Sequence, residues 1–519
     1  LKNVTISQPF QLAKLSGELT LVNFLFVKFN SISHHYRRSW VSELEEITLN
    51  LGEISKFMWR YSLGRDSGME SLHFLRIKIP AGRIKVEELF EIAEISKEYG
   101  RGYAEITDRQ DIQLHWIDSN RALEIFEKLY RLGYTTDLCG QAFSSACHGD
   151  VRNIAVCPLS GKINDFDVAE HAIKLTEFFS GNPDFIDLPK KFKIAFTACG
   201  TDCVRAGIND LGMIGVERDG ERGFTPLIGG GIGATYPGPS LGKHMPVFVP
   251  EERVFEFVKA VVEIHRDYSS RESKAKARFK HLVASWGVEK IRETVEDKIG
   301  ELEDFEGLPP LKFSAHKSSG KQINGLHYLT LPLIGGILDA EKLEKIAELS
   351  EKYGSGEIRL TTTQNVIFVD VEDLNALKSE LERHFKIYDG DAFYNSIGCA
   401  SNFCGKTKDV HAKDMLRRLL EVAGELGVEN EVLIYVSGCH NACGCHHVAP
   451  FGLAGKLIRR DGEIIQGYDF YIGGDIAKLK MGKLYRESLT SDEVVEVFRE
   501  IVMRYKSSGK SLKEFLEGL

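Results

Sequence analysis

The sequence predicts an α/β protein, of the α+β kind with mixed sheets, built as an internal duplication around a pseudo-twofold axis. Three observations carry that expectation. Residues 72–111 (LHFLRIKIPAGRIKVEELFEIAEISKEYGRGYAEITDRQD) align without a gap on 326–365 (LHYLTLPLIGGILDAEKLEKIAELSEKYGSGEIRLTTTQN). Downstream, 193–212 (KIAFTACGTDCVRAGINDLG) corresponds to 433–452 (LIYVSGCHNACGCHHVAPFG), each with Cys-x3-Cys after an apolar run and a Gly nine residues beyond. A chain of 519 residues is also too long for one ordinary core, so several packed units are required.

The composition sets outer limits on function. With 43% apolar and 27% charged residues the chain reads as globular and not disordered. Its net charge of −9 argues against bulk attraction to nucleic acid or an anionic membrane, so any basic site must be local. The most apolar early stretch, Leu19 to Phe29, is about half the ~20 residues of a spanning helix. A soluble, cytoplasmic protein with no membrane or nucleic-acid partner is therefore expected, and residues 1–45 are set aside as an N-terminal extension without an assigned role.

The repeated unit reads in order as strand, turn, helix, strand. Alternation in 72–79 puts Leu75, Ile77 and Ile79 on one face and Arg76 and Lys78 on the other. Gly82 and Gly336 mark turns, after which Leu89, Ile92 and Ala93, and Leu343, Ile346 and Ala347, recur at helical spacing. In 191–196 the two lysines Lys191 and Lys193 oppose Phe192, Ile194 and Phe196. Residues 228–243 read as a Gly-rich loop and 250–300 as long helices. Neither Gly-x-Gly-x-x-Gly after a strand nor Gly-x4-Gly-Lys-Ser/Thr occurs, so nucleotide binding has poor support.

The ten cysteines are clustered. Cys399-x4-Cys404 and Cys439-x3-Cys443 lie at predicted strand ends beside turn-forming glycines. Spacing leaves an iron–sulfur cluster, a zinc ion and unliganded buried thiols all open.

The residues around these cysteines narrow the choice. SGCHNACGCHHVAPFGLAG (437–455) and GCASNFCG (398–405) resemble the paired cysteine motifs of the sulfite and nitrite reductases that carry sirohaem and a [4Fe–4S] cluster. The likeness extends to FLRIKIPAG (74–82), ITDRQDIQLHW (106–116), GDVRNIAVCP (149–158) and LPKKFKIAF (188–196), and runs in order over roughly 50–519. It implies ferredoxin-like half-domains at 46–125 and 312–390 and two sirohaem and cluster domain copies at 126–311 and 391–519. It further implies a [4Fe–4S] cluster on Cys399, Cys404, Cys439 and Cys443, with Cys443 bridging to the sirohaem iron. The family's first cysteine pair is normally separated by five residues and here by four.

The same resemblance makes Arg76, Arg152, Lys191 and Lys193 the cations that ring an oxyanion. Arginine suits bidentate contact, and a lysine is a compact donor whose pKa shifts readily. Nitrite reductases of the family usually carry Asn at the position of Lys193, so Lys points to sulfite. Thr107, Arg109, Gln113, His115 and Asn441 match positions that contact the macrocycle, and Lys190 is placed with them. Glu105 stands where an Arg is frequent, with Arg359 in the matching place of the second copy.

The expected activity is six-electron reduction of sulfite to sulfide, with electrons from a ferredoxin or a flavoprotein. Nitrite reduction to ammonia is the alternative, and a non-catalytic iron–sulfur or zinc protein is the alternative outside enzymes. Cys157, Cys199 and Cys203 hold the first-copy places of Cys399, Cys439 and Cys443, with the fourth place near Lys162, and read as a relic of duplication, with a second cluster as the alternative. A Tyr61–Cys147 crosslink is a further implication of the resemblance, while Cys139 has no assigned role and Cys445 reads as a buried thiol.

Overall fold

The computed structural model describes residues 60–65, 72–138, 149–233, 238–273, 275–309, 316, 318–403 and 409–519. Cys139, Cys147, Cys404 and the 1–45 extension lie outside the described residues.

The duplication is carried at a constant offset of 254 residues. Strands Leu72–Lys78, Tyr103–Ile106 and Ile112–Asp118 have counterparts at His327–Leu331, Glu357–Leu360 and Val366–Val371, and helix Val86–Tyr99 has its counterpart at Ala340–Tyr353. Burial follows the alternation: Leu75, Ile77 and Ile79 are fully buried and Arg76 is half-buried. Each such aliphatic side chain contributes about 1.5–3 kcal/mol of transfer free energy. Lys78 departs from the simple two-face pattern, because it is buried with its ammonium on Val151 O (2.9 Å) and Asp150 (3.3 Å).

The two half-domains exchange strands. Ile337–Asp339 of the second copy pairs antiparallel with Tyr103–Ile106 of the first, and Arg83–Lys85 of the first pairs with Glu357–Leu360 of the second. One continuous core therefore includes Ile77, Leu89 and Ile92 from the first copy with Leu331, Leu343 and Ile346 from the second. The turns permit the exchange. Gly82 and Gly336 have φ of 66° and 70°, and a Cβ on either would lie 2.8 Å from Leu360 O or 2.3 Å from Ile106 O, the facing strand of the other copy. Gln110 and Gln364 bind the same two carbonyls from their side-chain amides, at 2.7 and 3.1 Å.

The remaining two sheets repeat a second plan. In the first, Ala155–Val156, Ile194–Thr197 and Leu211–Arg218 run parallel and Glu221–Ile228 returns antiparallel. In the second, Ile397–Gly398, Ile434–Ser437 and Phe451–Arg460 run parallel and Glu463–Ile472 returns. Helices Val254–Tyr268 and Phe279–Ile299 cover the first sheet and Ala412–Glu425 and Ser491–Ser508 the second. Among the described residues no helix is long and apolar enough to cross a membrane.

Candidate functional site

Cys439 and Cys443 sit in the turn that follows Ile434–Ser437, and Cys399 follows Ile397–Gly398 on the neighbouring parallel strand. Parallel pairing brings the two strand ends together at one edge. The Cys399 amide donates to Val436 O (3.0 Å), and its thiol accepts from the Gly438 amide (3.0 Å). Burial, with Cys443 and Cys439 close enough to repel a thiolate, raises the Cys399 thiol. Three of the four expected cluster cysteines thus share one site, and the fourth, Cys404, lies outside the described residues. Cys443 is exposed and Cys439 half-buried, whereas Cys445 is buried.

Cys443 faces the first copy. It lies close enough to Lys191 and Lys193 to act electrostatically on both. The Gly-rich loop closes the same approach, since a Cβ on Gly233 would lie 3.1 Å from Asn441 O. Lys280 holds that loop by donating to the carbonyls of Gly231 (2.9 Å), Gly233 (3.1 Å) and Gly238 (2.5 Å). The only sequence signal for this buried lysine is the alternation of basic residues at Lys274, Lys276, Arg278 and Lys280.

Two of the four expected anion ligands, the arginines, are connected through a buried carboxylate. Arg76 and Arg152 each reach Asp137 Oδ2 at 3.5 Å, and Arg152 also lies 3.3 Å from Asp150. Burial works to raise the Asp137 carboxyl, but Arg152, Lys78 and Arg76 outweigh it and hold it down to about 2. The arginines are therefore set in place by a permanent anion. Burial lowers the Lys191 ammonium to about 8, with help from Lys193, Arg152 and Arg278, and burial also lowers Lys193. Asp210, which accepts from the Lys193 amide (2.9 Å), is clamped by Arg278 at 2.9 Å.

Of the expected macrocycle contacts, Asn441 is exposed and Lys190 half-buried, with the Lys190 carbonyl 2.8 Å from His265 Nε2. Thr107 is half-buried as well, and Arg109, Gln113 and His115 are embedded in the protein. Thr107 Oγ1 accepts from the amides of Arg109 and Asp111 (3.2 Å each) and so builds the turn. Arg109 is buried and donates to Asn153 O, Ile194 O (2.9 Å) and Asn209 Oδ1 (2.9 Å). His115 is fully buried and stacked on Phe403 at 4.0 Å.

A buried polar chain runs from the anion ligands to the second copy. Arg76 Nε donates to Gln113 Oε1 (2.8 Å) and Gln113 Nε2 donates to Glu105 Oε1 (2.7 Å). Glu105 forms a salt bridge with Lys413, from helix Ala412–Glu425. Burial works to raise the Glu105 carboxyl, but Lys413 and His115 hold it down to about 2. Arg359 does not serve Glu105. It pairs with Glu357 at 2.5 Å and donates to Pro158 O and Ser160 O.

Asp137, Asp150 and Lys413 are the residues that sequence reasoning missed, and for Glu105 it missed the partner. A lone carboxylate gives no periodic signal, and each finds its partner only through tertiary packing. Tyr61 donates its hydroxyl to Tyr134 O (2.9 Å) and stacks on Phe126.

Lys162 does not complete the first-copy cysteine set. Its ammonium pairs with Asp370 at 2.6 Å, and the fourth group beside Cys157, Cys199 and Cys203 is His316. Little space is left beside these thiols. The space among Cys203, His316, Thr361, Thr362, Thr363 and Tyr394 is about 10 Å³, room for about one water.

Comparison with known proteins agrees with this architecture. A family model described as the nitrite and sulphite reductase 4Fe-4S domain matches residues 147–302. Another, the nitrite/sulfite reductase ferredoxin-like half domain, matches 67–132 and again 320–384, as the duplicated fold requires. The assimilatory ferredoxin-dependent nitrite reductase of Haloferax mediterranei is 30% identical over 87% of this chain and 83% of its own. The ferredoxin–nitrite reductase of Synechococcus elongatus is 29% identical over 84% and 87%. The ferredoxin sulfite reductase of Mycobacterium tuberculosis is 28% identical over 86% and 82%. The solved structure of the NirA protein of Mycobacterium tuberculosis superposes with a TM-score of 0.80 at 25% identity, covering 91% of both chains.

Proposed function

The chain belongs to the nitrite and sulphite reductase family, whose members are oxidoreductases using sirohaem with a [4Fe–4S] cluster, and from that premise we propose that it reduces sulfite to sulfide. The observation that carries this choice is the set Arg76 and Arg152, which share Asp137, with Lys191 and Lys193, which lie near Cys443. Four cations match an anion of nearly two charges better than one of a single charge. Lys193 stands where the nitrite reductases of the family usually carry Asn.

The donor set fits the cofactors. Cys399, Cys439 and Cys443 share one sheet edge, with Cys404 as the fourth ligand, and Cys443 is open toward the lysines. Lys190 and Asn441 are placed to meet the carboxylates of sirohaem. When bound, the coupled pair supplies electrons one at a time and the metal face on which the anion rests; a ferredoxin, the donor named for the relatives, is the partner we assign.

The protein's own part is electrostatic and acid–base. Arg76 and Arg152 hold the oxyanion in a fixed orientation, because Asp137 fixes them before it arrives. Lys191, with its ammonium near 8, is charged at neutral pH yet gives up a proton readily, which suits protonation of an oxygen leaving as water. Arg109, Gln113 and His115 act as positioning residues behind this face.

Nitrite reduction is the second reading, favoured by the names of two relatives at 30 and 29% identity. Comparing kcat/KM for sulfite and nitrite with a reduced dye as donor separates the two. A preference for sulfite is expected, and Lys193→Asn should lower sulfite kcat/KM by about 10²-fold. A wild-type preference for nitrite, with Lys193→Asn nearly silent, overturns the choice.

A further inference from the structure

We infer that the first copy holds a mononuclear zinc ion on Cys157, Cys199, Cys203 and His316, separate from the cofactors of the second copy. Three segments deliver these residues. Cys157 follows strand Ala155–Val156, Cys199 and Cys203 flank the turn after Ile194–Thr197, and His316 precedes the strand Ser319–Lys321 that opens the second half-domain. The four ligand atoms all lie within 4.8 Å of one another. Cys199 Sγ and Cys203 Sγ are 3.8 Å apart, and Cys157 Sγ is 3.1 Å from His316 Nε2.

These separations select the chemistry. With Zn–S bonds of about 2.3 Å, two thiolates on one tetrahedral ion stand about 3.8 Å apart. A disulfide would require about 2.05 Å between sulfurs, and the thiols are free. A cubane attaches each thiolate to a different iron and so spreads its ligands farther than a single ion does. Three thiolates and one imidazole form a closed structural zinc set, with Cys157 and Cys203 buried. Hydroxyls of Thr197 (3.4 Å) and Thr201 (3.1 Å) touch Cys199 Sγ, the outer contacts that orient a ligand.

The ion has no redox chemistry, so its contribution is mechanical. It ties the first copy's sheet to the segment entering the second half-domain, beside the Lys162–Asp370 pair that crosses the same boundary. Duplication has thus left two metal places on one plan, one for electron transfer and one for cross-linking.

Elemental analysis of the full chain tests this, after expression with sirohaem supply in medium containing iron and zinc and purification without chelator. About one zinc and about five irons per chain are expected, four in the cluster and one in sirohaem. Fewer than about one zinc in ten chains, or about eight non-haem irons, overturns the inference. Cys203→Ser should lose the zinc and keep the sirohaem absorption, and stoichiometric zinc in that variant would place the ion elsewhere. Should the variant fail to fold, zinc X-ray absorption of the wild type decides. Three sulfurs at about 2.3 Å and one nitrogen at about 2.0 Å are expected, whereas a shell of oxygen and nitrogen alone overturns the assignment.

Discussion

Replacing Lys413 by Met isolates what the cross-copy salt bridge does. The aliphatic stem lies against Gly335 and Gly398, and Met fills nearly the same volume, so the change removes chiefly the charge. Glu105, 2% exposed, then keeps Gln113 Nε2 at 2.7 Å, the Tyr103 hydroxyl at 3.2 Å and His115 Nε2 at 3.3 Å but loses the Lys413 ammonium. Holding its carboxyl at about 2, against an ordinary 4.5, corresponds to about 3 kcal/mol. That agrees with the 3–5 kcal/mol typical when one partner of a buried pair is removed. The sign follows from the lowered value: this stability is present at neutral pH and is lost as pH falls from about 4.5 through about 2. With an unfolding entropy of about 2.1 cal/mol/K per residue over 519 residues, thermal unfolding of the cofactor-loaded protein should therefore shift down by about 3 °C. Adding Glu105→Gln removes the stranded charge and should return stability to within about 1 kcal/mol of wild type. Because Gln113 joins Glu105 to Arg76, Lys413→Met should also raise KM for the anion, and the double variant should recover much of it. A single variant that melts with the wild type, or a double variant as unstable as the summed single changes, would refute the reasoning.

Two further outcomes can be checked. Lys191 is an ammonium below about pH 8 and neutral above it, so KM for the anion should be flat at lower pH and rise above that point; Lys191→Arg, which stays charged, should abolish the rise in a pH series of initial rates. Gly336→Ala places a Cβ 2.3 Å from Ile106 O at φ 70° and should destabilise by more than about 2 kcal/mol, whereas Gly462→Ala, at φ 86° with open space around it, should cost only about 1 kcal/mol in the same thermal assay.

The sequence by itself determined the repeated plan. Helix Val86–Tyr99 and its counterpart Ala340–Tyr353 were readable from apolar spacing, and the polar face of Arg76 from strand alternation, because both signals lie within a few residues; Lys191 and Lys193 instead precede the strand Ile194–Thr197, although Phe192, Ile194 and Phe196 are buried as the alternation predicts. The cysteine motifs and the four cations were legible for the same reason, as short patterns matching a known family. Tertiary structure alone decided the pairings. Ile337–Asp339 adds to the first copy's sheet, Lys413 answers Glu105 from 308 residues away, and His316 instead of Lys162 stands beside the first-copy thiols, 159 residues from Cys157. A single buried charge or ligand carries no periodicity; its partner is fixed by which surfaces the two copies press together, and desolvation there makes the pairing obligatory.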